Sequence, residues 1–121
     1  MALGKELGEF SFKITSVAYT QDGSAYISVD GTATSYGTVL GTLIVKGEPG
    51  ATSGTASWVG QGFLDDGTVV RGTGDGTYEE SGHHQWRTRL LITVTNGDTI
   101  ASDGRIDLAS RTFSGKNLEW S

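Results

Sequence analysis

Apolar and polar residues alternate through most of this chain, and no stretch keeps a three-to-four-residue apolar rhythm for more than one turn, so the pattern predicts strands and almost no helix. The alternating segments lie near residues 8–19, 24–36, 38–46, 54–64, 68–80, 84–95, 98–108 and 112–120. Between them stand Asp22-Gly23, Asp66-Gly67, Ser81-Gly82 and Asn96-Gly97, each a residue tolerant of positive φ followed by glycine, which is the chemistry of a tight hairpin. Only residues 47–53, which hold the sole proline, Pro49, read as a longer loop. Connections this short leave no room for crossover helices, so successive strands are antiparallel neighbours. An open meander would expose two edges, and closure removes them. The expectation is an all-β, antiparallel up-and-down meander of about eight strands, a closed or nearly closed barrel spanning 1–121 as one domain.

Gly72, Gly74 and Gly76 follow one another at period two, which puts all three on one face of the fifth strand. Missing side chains there let a sheet curl tightly or let a large neighbour lie across the backbone. Matching the apolar faces across each turn sets Trp58 against Gly74, Gly74 against Leu90, Tyr78 against Trp86, Val94 against Ile100 and Trp86 against Leu108. These residues form the expected interior, with the Trp58 indole over Gly74. The opposite face collects Gln61, Arg71, Asp75, Arg87, Arg89, Asp103, Arg105 and Asp107 as an exterior ladder, in which Asp75 faces Arg89 and Arg87 faces Asp107. Were the faces reversed, these ionisable groups would line the lumen, an arrangement too costly to keep without function. In the third strand Val39, Leu43 and Val45 oppose Leu40 and Ile44, so the inner face of the first three strands stays open. Strands apolar on both faces point to an exterior partly covered by another subunit, a homo-oligomer.

Composition narrows the partners. Gly 19 against Pro 1 makes glycine a punctuation of strands and not a mark of disorder. A formal net charge of -5 argues against nucleic acid and against an anionic membrane surface, which reward clustered Lys and Arg. With Cys 0 there is no disulfide, no thiolate nucleophile and no cysteine zinc site. Residues 1–8 lack an apolar core and carry Glu6, so they read as neither a signal peptide nor a spanning helix, and the expectation is a soluble, cytoplasmic protein.

No motif carries a reaction. The run Gly72-Thr73-Gly74-Asp75-Gly76 has no helix after it to supply the amide donors of a phosphate loop, and it lacks the tandem copies of a calcium-binding nonapeptide turn. His83 and His84 follow Glu79 and Glu80, but adjacent residues on a strand point to opposite faces, so a solvated turn is the better account and neither metal nor cofactor is expected. His84 shares the parity of Trp86 and would stand at a mouth of the interior, where His84, Glu79 and Glu119 are the candidate catalytic acids or bases. No Ser-His-Asp order and no Gly-x-Ser-x-Gly elbow is present. Trp58, Tyr78, Trp86 and Trp120 can equally plug the interior or wall a pocket.

The spacing of Gly31-Thr32, Gly41-Thr42, the Gly72 to Tyr78 strand, Asp103-Gly104 and Phe113-Ser114-Gly115 resembles the glycine-marked strands of the allene-oxide-cyclase-like and dirigent-like barrels over roughly residues 28–116. None of that family's functional residues can be matched to a position here. The resemblance implies an eight-stranded barrel, oligomers and an apolar lumen, in a family whose cyclisation chemistry works largely by moulding a reactive substrate. The expected function is binding of a small, mainly apolar ligand in the lumen or mouth, by Trp58, Gly72, Gly74, Gly76, Tyr78, Trp86 and Leu90. The alternatives are a cofactor-free cyclase or isomerase and a non-catalytic assembly protein whose barrel is full.

Overall fold

The computed structural model describes residues 3–120. Eight strands follow one another: β1 (Leu3–Tyr19), β2 (Ser24–Ala33), β3 (Gly37–Lys46), β4 (Ser53–Phe63), β5 (Val69–Gly82), β6 (Gln85–Val94), β7 (Thr99–Asp107) and β8 (Thr112–Trp120). Each pairs antiparallel with the next, and β8 returns to β1 through Phe10↔Gly115 and Phe12↔Phe113, so the meander closes into a barrel without an open edge. No helix among the described residues is long and apolar enough to cross a membrane.

Turn chemistry accounts for most of the connections. Gly23, Gly67 and Gly97 take φ of 90, 91 and 98°, a region that a Cβ disfavours. The preceding Asp22, Asp66 and Asn96 accept the backbone N–H two residues on, Ser24 at 3.1 Å, Thr68 at 2.9 Å and Asp98 at 3.0 Å. Ser81-Gly82 behaves otherwise. β5 runs on through Gly82, which pairs with Gln85, and the hairpin turns at His83-His84, with His84 at φ 54°. A bulge between Glu80 and Gly82 absorbs the extra length.

The register differs from the expected one, on β5–β6 because of that displaced turn and on β6–β7 across the Asn96-Gly97 hairpin. Trp58↔Gly74 holds, but Gly74 faces Ile92, Tyr78 faces Thr88, Ile92 faces Ile100 and Trp86 faces Ile106. Each corrected pairing slips by two residues, which preserves faces because strand periodicity is also two; Leu108, expected inside, instead falls past the end of β7 and is 41% exposed. Leu90, Val94, Ile100 and Ile106 are accordingly buried inside. The first three strands resolve as well: Phe10, Phe12, Ile27, Val29, Val39 and Leu43 are interior, whereas Leu40 is outside and 48% exposed. On the outer wall Asp75 faces Leu91 and not Arg89. Arg87 reaches diagonally to Asp103 and not to Asp107, its Nε and Nη2 donating to the two carboxylate oxygens at 2.9 and 2.7 Å.

Topology sorts the connections between two ends. The β1–β2, β3–β4, β5–β6 and β7–β8 turns gather at one, the histidine end. The β2–β3, β4–β5 and β6–β7 turns gather at the other, with the start of β1 and the finish of β8.

Candidate functional site

Gly41, Gly60 and Gly72 are successive cross-strand partners on β3, β4 and β5, and they make a bare strip across the inner wall. The Trp58 indole lies on this strip, and not over Gly74. A Cβ on Gly41 would stand 2.5 Å from Trp58 Cζ2, one on Gly60 would stand 2.6 Å from the same atom, and one on Gly72 would stand 3.8 Å from Nε1. Gly74 and Gly76 serve the sheet differently. Cβ atoms there would come within 2.9 Å of Ile92 Cα and Leu90 Cα, so these glycines let the β6 backbone curl against β5.

Four rings close the middle of the lumen. Phe12 stacks on Trp58 with centroids 5.7 Å apart and planes at 6°, and Phe10 meets Phe113 edge-on at 5.1 Å. Phe10 and Phe113 in turn press on Gly104, where a Cβ would come within 2.9 and 2.6 Å of them.

Beyond this plug, away from the histidine end, a cavity of about 70 Å³ remains. Its walls are apolar, with Val39, Val70, Leu90, Val94 and Ile100, and Gly60, Gly62 and Gly72 present bare backbone to it. Two polar side chains also face it. Ser102 and Asn117 are cross-strand partners on β7 and β8, 5% and 9% exposed, and neither side chain makes a hydrogen bond to another described residue.

Tyr36 roofs the cavity. It sits in the β2–β3 turn between Ser35 (φ 73°) and Gly37 (φ 70°) and donates its hydroxyl to Asp98 Oδ2 at 2.7 Å. Asp98 belongs to the β6–β7 turn, on the far side of the barrel, so one hydrogen bond spans the mouth. Asn96 Nδ2 donates to the same carboxylate oxygen at 3.0 Å and holds it in place. Burial, and then the bond to Asp98, push the Tyr36 phenol well above its ordinary pKa.

Of the residues expected to bind, Trp58, Gly72 and Leu90 line the cavity, while Gly74, Gly76, Tyr78 and Trp86 do not. Tyr78 and Trp86 pack half-buried on the histidine-end side of the core. The three acid–base candidates are not brought together. Glu79 is on the outer wall, 3.6 Å from Arg89; His84 is exposed in its turn; Glu119 packs on Gly4 at the opposite end. His83 and His84 stack on each other at 4.1 Å, and no group of three or more His, Asp or Glu among the described residues could hold a metal ion.

The sequence reading missed Phe10, Phe12, Phe113, Tyr36, Asp98, Ser102 and Asn117. Alternation could have placed Ser102 on the inner face of β7, since it shares the parity of Ile100; nothing local marks Tyr36 as a roof. No family model, no curated protein and no solved structure matches this chain.

Proposed function

We propose that this barrel binds a small, mainly apolar molecule in the cavity beneath Tyr36. The observation that carries the reading is the cavity itself: about 70 Å³, apolar-walled, lined in part by the bare backbone of Gly60, Gly62 and Gly72, and roofed by one hydrogen-bonded side chain. Small apolar space of this kind accepts guests through dispersion and exclusion of water. No carboxylate, imidazole or amine lines it, which favours binding over acid–base catalysis. The glycine spacing that resembles the allene-oxide-cyclase-like barrels supports the same architecture of a lumen shaped by missing side chains.

Xenon and n-pentane, titrated while protein NMR spectra are recorded, test the reading. Saturable shifts confined to the Trp58, Leu90 and Val94 neighbourhood support it. Shifts spread evenly over the surface, or none, overturn it. A second reading, a scaffold that assembles through its outer wall, draws on the aromatic plug and on Tyr26, Leu40, Val69 and Leu91, which are between 43% and 52% exposed on the outer wall. Native mass spectrometry reporting only monomer would remove it.

A further inference from the structure

We infer that the ligand is a short, uncharged amphiphile whose single hydroxyl or carbonyl group docks between Ser102 and Asn117. This rests on the cavity being a binding site and specifies what enters it.

The polar pair is the reason. Ser102 and Asn117 are among the few buried polar side chains, they face each other across the β7–β8 ladder, and both open into the cavity with their hydrogen-bonding groups unused by the described residues. Unlike the Thr88 hydroxyl, which is wholly shut off, their polar atoms keep accessible surface, so an occupant can reach them and supply hydrogen bonds that no described side chain provides. The Ser102 hydroxyl donates one hydrogen bond and accepts others, while the Asn117 amide offers a carbonyl acceptor and an NH₂ donor. A hydroxyl group satisfies both residues, donating to one and accepting from the other. A carbonyl group accepts from both.

Charge is excluded by the rest of the wall. No Lys, Arg or His lines the cavity, so a carboxylate would be buried without a cation. Asp98, which holds the Tyr36 roof, is itself a carboxylate, already engaged by Tyr36 and Asn96. An anionic guest therefore meets repulsion at the entrance and no partner inside. Size sets the other limit. A cavity of about 70 Å³ takes only a small molecule, so the chain is short.

The test compares 1-butanol, 2-butanone, butanoate and n-pentane at pH 7 by protein NMR titration, on the wild-type chain and on Ser102→Ala and Asn117→Leu. The expected result is saturable binding of 1-butanol and 2-butanone with the largest shifts at Ser102 and Asn117, and binding of butanoate at least tenfold weaker. Asn117→Leu should weaken 1-butanol by about fivefold, the value of one net hydrogen bond, and leave n-pentane as tight or tighter. Equal binding of butanoate and 1-butanol overturns the inference. So does an n-pentane affinity matching that of 1-butanol together with no loss in Asn117→Leu, although the cavity reading then stands. Failure of 1-butanol, n-pentane and xenon alike sinks the cavity reading itself. Should either variant not fold, the wild-type ranking of the four compounds decides alone.

Discussion

Replacing Gly41 by alanine adds a single methyl group where the indole of Trp58 already lies. The added Cβ would stand 2.5 Å from Trp58 Cζ2 and 3.0 Å from the Val59 carbonyl oxygen. Carbon atoms pack best at about 3.5–4.0 Å, so the ring has to withdraw by roughly 1 Å. Phe12 is stacked on that ring at 5.7 Å with planes 6° apart, and it would have to move in turn. Overpacking of this kind costs about 1–3 kcal/mol, more than the fraction of a kcal/mol gained by replacing a strand glycine. Urea unfolding followed by far-ultraviolet circular dichroism should show a midpoint lowered by about 1 M at unchanged slope. In a Trp58→Phe background the shorter ring vacates the strip, and Gly41→Ala should then cost under about 0.5 kcal/mol. The double-mutant cycle would carry a coupling of at least about 1 kcal/mol. The same penalty in both backgrounds, or none in either, would refute the claim that Trp58 is what excludes a side chain from Gly41.

Further outcomes follow from the same packing. Gly72→Ala should leave stability within about 1 kcal/mol, because its Cβ meets only Ile92 Cγ2 closer than 3.8 Å, at 3.2 Å, yet it should weaken guest binding by narrowing the cavity; Gly74→Val, driven against the β6 backbone, should be far more damaging in the same melts. Thr88 is fully buried and its Oγ1 has no hydrogen-bond partner, so Thr88→Val should raise stability by up to about 1 kcal/mol, and a lowered melting temperature would show that the hydroxyl is satisfied. Hydrogen bonds from Arg87 hold the Asp103 carboxyl below its ordinary pKa, so the pair adds stability above about pH 4 and loses it as pH falls through the lowered folded value. Asp103→Asn should therefore cost under about 1 kcal/mol at neutral pH, since the pair is still about two-fifths exposed and screened by water, with the difference vanishing in acid melts. Tyr36, with its raised phenol pKa, should keep its proton while the unfolded chain ionises above about pH 10, so alkaline stability should fall from there less steeply in Tyr36→Phe; absorbance titration showing all four tyrosines ionising together in the folded protein would contradict this.

Local pattern was enough to read eight strands, their order and the inner face of β4 to β7, because strand periodicity and hairpin chemistry are properties of neighbouring residues. The inner face survived register errors of two residues for the same reason. Turn identity at Ser81-Gly82 was misread because Gly82 fits equally well in a bulge, and histidine, unlike most residues, tolerates the left-handed conformation that His84 adopts.

The alternation and the glycine spacing therefore determined by themselves an all-β meander with a glycine-lined inner wall. Closure decided the rest. Which face of β3 lies inside depends on pairing with β2 and β4 together, since Val39 and Leu40 are both apolar. The direction of the Trp58 ring depends on three glycines from three strands, and the plug on rings from β1, β4 and β8. The roof joins Tyr36 to Asp98 across 62 residues. Each of these features is a meeting of segments far apart in the chain, and nothing in the local sequence specifies which distant side chain will arrive; only the diameter and register of the closed barrel do.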